Sequence, residues 1–498
     1  LIDRGSFKLY TISLAALMIT NYYIGGMICI FIFFYFPILY FSRRRRPGAR
    51  GCLQVTGKAV LCSFTGIFIA GVTLLPTFLS LQNTYYIDSE MPRETTFYQS
   101  LLDLFTNLLP NVEPTVREGL PNVYCGLLSV ILFVFFLLSR RISLRKKLLN
   151  CALLGFLFLS LNCNKLDFMW HGFHFPNQLP YRYSFVVSFL LVILAYEAFL
   201  GVKRVIGAVC AAGTAYVFLA EKFYEGQLRP EFAYVCLLLL FAYCGFLTVY
   251  RLKKYPETLM CFILLVIVSA ELMNQTAIGV ETVSYTDRNE YFAESREVEE
   301  LVRETRQRDD GFYRMEVANP LILNSPMLYH YPGVSEFSST VNGSVSYLMD
   351  RIGLEAEDAK NRYNYVMTTP VLNAMLNVKY IISRGRPVTG ESALELAGGK
   401  NLTALYENPY DLSVGYMVNS AVAEDWDIEQ TNPFSVLEEF VRLATGSGET
   451  IFRRIDSPVL SGEGVSLGNY EDGKVNCASV DSGSQGTAKL TFTSRSSQ

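Results

Sequence analysis

The sequence is poor in histidine, tryptophan and paired cysteines. Only three of its 498 residues are histidine and two are tryptophan. Ten of the eleven cysteines precede residue 262, mostly inside apolar runs, and no two have CxxC spacing. A disulfide framework for the polar second half is therefore excluded, and we expect the earlier cysteines to pack as small apolar side chains.

Several functional signatures are also missing. The chain contains no Walker loop, Rossmann glycine fingerprint, GxSxG elbow or HExxH motif, so nucleotide hydrolysis and serine or zinc peptidase chemistry lack support. No basic stripe accompanies the pI of about 5.9, which argues against a nucleic-acid partner. No signal-peptide pattern opens the chain, and residue 1 resembles the interior of a longer protein.

The sequence is instead rich in apolar residues, and its charge is divided unevenly between the two halves. The hydrophobic fraction is 51%, which is high for a soluble protein. Residues 1–280 carry 24 Lys/Arg and 14 Asp/Glu, whereas residues 281–498 carry 19 and 32, giving net charges near +10 and −13. We therefore expect a basic multi-pass membrane domain over 1–280 and an acidic soluble part after it.

The first 280 residues contain eight apolar runs. A spanning helix needs about 20 apolar residues to cross about 30 Å of hydrocarbon. The first run is 34 residues long and contains Asn21–Gly26 at its middle, so a hairpin is favoured over one tilted helix. About 8–9 spanning segments are expected. The runs are 9–42, 59–80, 122–138, 148–163, 183–200, 205–220, 232–250 and 258–276.

Lysine and arginine in the short loops predict the orientation. The loops 43–58, 139–147, 201–204 and 251–257 carry 16 basic residues, and the alternate loops 81–121, 164–182 and 221–231 carry six. The positive-inside rule places the basic set in the cytoplasm. The alternate loops and everything after about residue 277 are then expected on the extracytoplasmic side.

Three acidic residues occur within apolar surroundings. Glu197 and Glu271 lie near the ends of their predicted spans, so interfacial snorkelling is the favoured account of both. Asp103 lies in TTFYQSLLDLFTNLLP (95–110), whose helical spacing predicts an amphipathic helix on the membrane surface. A solvated polar face is the simpler interpretation of Asp103, and a catalytic acid is the functional one.

From about residue 281 the pattern becomes that of an α+β domain, predicted over 281–450. The segments EYFAESREVEELVRETRQRD (290–309) and NPFSVLEEFVRLATG (432–446) are typical of helices. FYRMEV (312–317), VKYIISR (378–384), LTALYENP (402–409) and VGYMVNS (414–420) predict strands. Residues 451–498 alternate like the beginning of an incomplete β-rich subdomain, which would run into a β-sandwich.

The segment 164–185, NKLDFMWHGFHFPNQLPYRYSF, holds the densest set of chemically useful side chains. Aromatic rings stack on sugars, and guanidinium groups bind phosphate bidentately. An aromatic belt at the membrane boundary is the alternative. Asp167, His171 and His174 have metal-ligand spacing, but Pro176 and Pro180 oppose a long helix, so a divalent metal is unsupported and no cofactor is identified. We expect headgroup binding or proton transfer from the histidines.

Five segments, spread over essentially the whole sequence, occur together in one order. They are NYYIGGMICIFIFFYF (21–36), GLPNVYCGLL (119–128), HGFHFPNQLPYRYSF (171–185), NRYNYVMTTPVLNAMLNVKYIISR (361–384) and YENPYDLSVGYMVN (406–419). In these segments and their order the chain resembles the YfhO family of bacterial membrane proteins.

This resemblance implies a polytopic GT-C-like glycosyltransferase that uses a sugar on a polyprenyl phosphate. The implied acceptor is a cell-surface polymer such as lipoteichoic acid, on the outer face of the cell membrane. Relative to the family pattern the chain lacks the first helices, the first outer loop and the far C-terminus, so we expect the catalytic acid outside this sequence. A non-catalytic protein whose outer domain binds envelope polymer or an assembly partner is the alternative.

Candidate site residues follow from the resemblance and the outer loops. The candidate catalytic residues are His171, His174 and Asp103. Arg182 and Arg117 are the candidate ligands of the donor phosphate. The remaining candidate residues for substrate or donor binding are Trp170, Asn177, Tyr181, Tyr183, Asn122 and Tyr124.

Overall fold

A computed structural model provides the fold, and the chain divides into two compact units. The first comprises Leu1–Leu79 and Tyr86–Thr286, and the second comprises Ser80–Tyr85 and Asp287–Gln498. The structure describes residues 6–42, 49–84, 90–117, 119–176, 181–199, 206–224, 228–356, 361–366, 369–385, 394–430, 432–453, 459–463, 465–471, 474–479 and 487–491.

The first unit is helical. Its helices are α1 Phe7–Thr20, α2 Tyr22–Phe41, α3 Ala49–Leu81, α4 Leu101–Thr106, α5 Leu127–Leu138, α6 Leu144–Ser160, α7 Asn164–Trp170, α8 Phe185–Phe199, α9 Ile206–Phe223, α10 Phe232–Leu252 and α11 Glu257–Val283.

Six helices in the described part of the chain are long and apolar enough to cross a membrane. They are Tyr22–Phe41, Arg50–Leu81, Arg182–Phe199, Ile206–Phe223, Phe232–Leu252 and Glu257–Tyr291. The polytopic architecture is thus supported, but not all of the predicted spans have this length. The predicted span 122–138 contains α5, with 12 residues, and the predicted span 148–163 overlaps α6, with 17. The GT-C arrangement stays a prediction.

The long first run is two helices rather than one. Asn21 separates α1 from α2, with an extended backbone at φ −157°, and its side chain accepts a hydrogen bond from the N–H of Ile24 at 3.0 Å. The break at the Asn-Tyr-Tyr sequence was predicted from the length of the run. The antiparallel course of the two arms stays a prediction.

The helix α2 and the helices α4 to α11 share one apolar core. In α2, Phe31 meets Phe189 of α8 edge to face, and Phe34 packs on Phe156 of α6. Gly213 of α9 faces Leu240 of α10 so closely that an added Cβ would lie 3.0 Å from a leucine methyl. Small residues at such crossings let helices approach, which favours association between helices surrounded by lipid.

The segment 95–110 is not a surface helix, and this prediction is wrong. Only α4 is helical there, and Asp103, Leu104 and residues 106–112 are buried. Tyr224 of α9 donates a hydrogen bond to Asn107 Oδ1 at 2.6 Å, and Cys236 of α10 contacts the Pro110 carbonyl. The apolar spacing therefore reflects burial among helices rather than contact with a membrane surface.

The second unit contains a mixed four-stranded sheet. Its helices are α12 Arg288–Tyr291, α13 Ser295–Arg308, α14 Ser325–Leu328, α15 Gly343–Arg351, α16 Pro370–Met375, α17 Ala421–Asp425 and α18 Pro433–Thr445. Its strands are β1 Arg314–Val317, β2 Glu336–Phe337, β3 Arg362–Tyr363, β4 Val378–Ser383, β5 Glu395–Lys400, β6 Thr403–Glu407, β7 Val459–Glu463, β8 Val465–Glu471, β9 Lys474–Ser479 and β10 Thr487–Thr491.

The sheet has the order β1-β4-β6-β5, with β1 parallel to β4 and the other pairs antiparallel. Alternate residues of β4 face opposite sides, because strand side chains alternate. Ile381 packs in the cluster that contains α18, whereas Ile382 packs in the cluster that contains α13. Both faces of the sheet are consequently covered.

The predicted elements of this unit are mostly present. The segments 312–317, 378–384 and 402–409 contain β1, β4 and β6, and both predicted helices occur. Asn432 caps α18 by accepting from the Phe434 N–H, and Gly446 ends that helix with φ 71°. The strand predicted at 414–420 is wrong, because this segment is irregular. Beyond 451, β7 pairs with β10 and β8 with β9, and a sandwich stays a prediction.

Candidate functional site

The segment 94–99 is fastened along residues 162–164 by two asparagine side chains. Asn162 Oδ1 accepts from the backbone N–H groups of Tyr98 and Gln99 at 3.0 and 2.9 Å, and its Nδ2 donates to the Gln99 carbonyl. Asn164 bonds Thr96 N–H and the Glu94 carbonyl in the same way. Both asparagines are buried, so their amides rather than water satisfy these backbone groups of residues 94–99. These bonds fix which residues of the two segments lie opposite each other.

These asparagine hydrogen bonds bring Tyr98 to a buried acid on the short helix α7. The Tyr98 hydroxyl lies 3.4 Å from Asp167 Oδ2. Burial and the negative charge of Asp167 both raise the pKa of Tyr98, so this phenol stays protonated near neutral pH. Asp167 is only 2% exposed.

Asp167 also faces His171, one helical turn later. Asp167 Oδ1 and His171 Nε2 are 3.3 Å apart, without hydrogen-bond alignment, and His171 is fully buried. Helix α7 ends at Trp170, as the prolines at 176 and 180 predicted, and His171 is its C-terminal cap. The i,i+4 spacing therefore places the pair in contact without a long helix.

The opposite nitrogen of His171 reaches the helix α2. Its Nδ1 makes a hydrogen bond with the hydroxyl of Tyr23, which is half-buried in the first turn of α2. The guanidinium of Arg182 lies over the Tyr23 ring, with 5.5 Å between Cζ and the ring centroid. Arg182 is exposed.

Two aromatic pairs surround these polar groups. Trp170 and Tyr183 stack with their ring centroids 4.7 Å apart and planes 9° apart, and both are buried. Tyr98 meets Tyr181 edge to face at 5.6 Å, with Tyr98 41% exposed. The first pair is part of the packing, whereas Tyr98 offers accessible aromatic surface beside Asp167.

His174 lies next to the same group and is half-buried. Its ring centroid is 5.8 Å from that of Tyr23 and 6.5 Å from that of His171. Burial lowers the pKa of His174, and the positive charge of Arg182 lowers it further. His174 is therefore neutral at pH 7, when it can donate or accept a hydrogen bond.

Six of the predicted residues thus come together around Tyr23 and Asp167. They are Trp170, His171, His174, Tyr181, Arg182 and Tyr183. We name the set formed by Tyr23, Tyr98, Asp167, His171, His174 and Arg182 the α7 cluster. The sequence missed Tyr23 and Tyr98 as members, and only their position in aromatic stretches that are predicted to face outward could have indicated them.

The other predicted residues have different surroundings. Asp103 is buried and accepts from the Ser100 hydroxyl that caps α4, so the solvated interpretation is wrong. Asn122 bonds both backbone groups of Thr115 and fixes a turn. Arg117 is exposed, and no described contact brings it to the α7 cluster. Asn177 lies outside the described residues.

Tyr124 belongs to a second buried polar group, which is centred on Glu271 of α11. The hydroxyl of Tyr124 and the N–H of Leu127 each donate to Glu271 Oε1 at 2.6 Å, and the Tyr243 hydroxyl donates to Oε2. Glu271 is 2% exposed, so the snorkelling prediction is wrong for this residue. Glu197 is partly exposed and pairs with Lys146 at 2.6 Å.

The α7 cluster can bind an anion and move a proton. Arg182 supplies an exposed positive charge at the start of an apolar helix, and the Asp167–His171–Tyr23 contacts provide a chain of proton-exchanging groups. Among the described residues, no three His, Cys, Asp or Glu side chains form a group that could hold a metal ion.

The sequence model of one protein family, described as bacterial membrane protein YfhO, matches residues 1–498 of the chain. No curated protein and no solved structure matches it.

Proposed function

The chain belongs to the YfhO family of bacterial membrane proteins, and on that premise we propose that it is a membrane glycosyltransferase. It transfers a sugar from a polyprenyl-phosphate donor to a cell-surface polymer such as lipoteichoic acid. The reaction takes place on the outer face, and the prediction from loop lysine and arginine that the α7 cluster and the second unit lie on that side supports this.

The position of Arg182 is the observation that carries this proposal. The residue opens the 18-residue apolar segment Arg182–Phe199, in which the 3-10 turn Arg182–Ser184 precedes α8. We therefore expect its guanidinium at the depth where such a segment meets water. A polyprenyl chain stays in the hydrocarbon while its phosphate remains at that boundary. Arg182 can therefore bind the phosphate and stabilise its charge when the sugar leaves.

Tyr98 supplies the surface for the sugar. Its ring is exposed, and its hydroxyl is held at Asp167. Aromatic faces bind the apolar face of a sugar ring. Because Trp170 and Tyr183 are buried against each other, we assign that pair to supporting the site, and Tyr181 to orienting Tyr98.

The test is transfer by the purified full chain in lipid nanodiscs. Polyprenyl phosphates that carry radiolabelled glucose, galactose or N-acetylglucosamine are offered separately, with lipoteichoic acid as acceptor. We expect label on the polymer with at least one donor. Polymer binding without transfer from any donor would contradict the proposal and support the non-catalytic alternative.

A further inference from the structure

Tyr23 connects the buried Asp167–His171 pair to the accessible part of the α7 cluster. His171 is fully buried and Asp167 is 2% exposed, so neither side chain can touch a bound substrate in this arrangement. The half-buried Tyr23 makes its hydrogen bond with His171 and lies beneath the exposed Arg182. Any chemistry of the pair must therefore reach a substrate through another group, and Tyr23 is placed to be that group.

The order of these groups sets the direction of proton transfer. An ionised carboxylate only accepts hydrogen bonds, so the nitrogen that faces Asp167, Nε2 of His171, carries the imidazole proton. Its Nδ1 is then an acceptor, and the Tyr23 hydroxyl donates to it. Among the described residues neither Asp167 Oδ1 nor His171 Nε2 has a hydrogen-bond partner, which leaves each facing the other.

We propose that the Tyr23 hydroxyl is the catalytic base of the transfer, with His171 and Asp167 as positioning residues that take up its proton. The inference rests on the proposed glycosyl transfer. This role requires the hydroxyl of Tyr23. A tyrosine that only formed part of an aromatic belt would not require it.

The step conserves atoms and charge. The acceptor hydroxyl gives its proton to Tyr23 Oη while the proton of Tyr23 moves to His171 Nδ1. A bond forms between the acceptor oxygen and the anomeric carbon, and the bond from that carbon to the phosphate oxygen breaks, with its electron pair leaving on polyprenyl phosphate. Asp167 stabilises the resulting imidazolium, and His171 later releases its extra proton to water through Tyr23.

Arg182 serves both charges that develop. Its guanidinium lies over the Tyr23 ring, so it favours negative charge on the phenolic oxygen as well as on the departing phosphate. The titratable and charged groups around Tyr23 are Tyr22, Asp167, His171, His174 and Arg182.

The test compares Tyr23→Phe with Tyr22→Phe in the full chain. Each substitution removes one oxygen from neighbouring tyrosines, and Tyr22 is 37% exposed and outside the proton path. With the donor found for the unaltered chain, we expect Tyr23→Phe to lower kcat about a hundredfold or more while the donor KM stays within about twofold. Tyr22→Phe should retain normal turnover.

The pH profile supplies a readout that packing alone would not change. If a base takes up the acceptor's proton, kcat should rise with pH in the unaltered chain. This rise should be lost in Tyr23→Phe. Retention of kcat and of that rise in Tyr23→Phe would overturn the inference and leave the proposed function intact. Absence of transfer by the unaltered chain would refute both. If Tyr23→Phe does not fold, Asp167→Asn takes its place: loss of the rise supports the inference, and its retention overturns it.

Discussion

The side-chain oxygen of Asn162 accepts a hydrogen bond from the backbone N–H of Tyr98 at 3.0 Å. These residues lie on different loops, and their contact positions the Tyr98 hydroxyl at Asp167. The proposed sugar-binding surface therefore depends on an amide that itself lies outside it.

Asn162→Ala should destabilise the first unit and loosen the segment 94–99. The change removes the side-chain bonds to the Tyr98 N–H and to both backbone groups of Gln99 inside a buried site, which we expect to cost about 2 kcal/mol. The thermal unfolding temperature and the rate of limited proteolysis in this segment measure the effect. Gln99→Ala is the control, since that side chain makes one long contact of 3.5 Å. Equal stability of the two variants would contradict the role of the Asn162 side chain in holding the segment 94–99.

Glu271→Ala should lower the free energy of unfolding far more than Glu197→Ala does. It leaves the hydroxyls of Tyr124 and Tyr243 and the Leu127 N–H without their buried acceptor, a loss of about 3 kcal/mol or more. Glu197→Ala removes one partly exposed ion pair, which is worth about 1 kcal/mol or less. Unfolding temperatures of the two variants in the same detergent give the comparison, and similar values would disprove the buried role of Glu271.

Glu316 should make the stability of the second unit depend on pH. It is buried and accepts from the N–H groups of Val334 and Ser335, and desolvation raises the pKa of its carboxyl to about 6. A raised carboxyl pKa contributes stability that is fully present below the unfolded value of 4.5 and is lost as pH rises through about 6. The loss should approach about 2 kcal/mol.

Glu316→Gln tests this, because glutamine keeps an acceptor oxygen but does not ionise. The difference in unfolding free energy between the two proteins should change between pH 4 and pH 7 by about the amount above. The fluorescence of Trp426 in a Trp170→Phe background reports on the second unit, since the chain has two tryptophans, one in each unit. A difference that is constant over this range would refute the prediction.

Arg182→Lys should fail to replace arginine, and Arg182→Ala should abolish transfer without unfolding the first unit. Lysine keeps the charge but loses the planar group that lies over Tyr23 and the bidentate contact with phosphate. We expect turnover to fall about tenfold or more in Arg182→Lys. Arg93→Ala is the matched control, since Arg93 is exposed and Lys165 contacts its backbone carbonyl. Full activity of Arg182→Ala would refute the phosphate role.

The apolar helices and the charge division were readable from the sequence, because length, hydropathy and caps act locally. The break at Asn21 and the start of α18 at Asn432–Pro433 followed from such signals. Segment 95–110 misled, because apolar spacing at 3.6 residues is the same for a helix on a membrane and for a chain buried among helices. VGYMVNS misled because β-propensity yields to context, and Met417 within it is 97% exposed.

The amino-acid sequence was enough to predict a set of apolar helices followed by an acidic α+β unit, and it identified the segment that contains Asp167, His171 and Arg182. The packing of the helices was needed to show that Tyr23, 148 positions from His171 along the chain, supplies its hydrogen-bond partner. It was likewise needed to show that Glu271 is buried with Tyr124 and Tyr243. Such contacts depend on how distant helices pack, and a polar side chain's burial is set by that packing rather than by its neighbours in sequence.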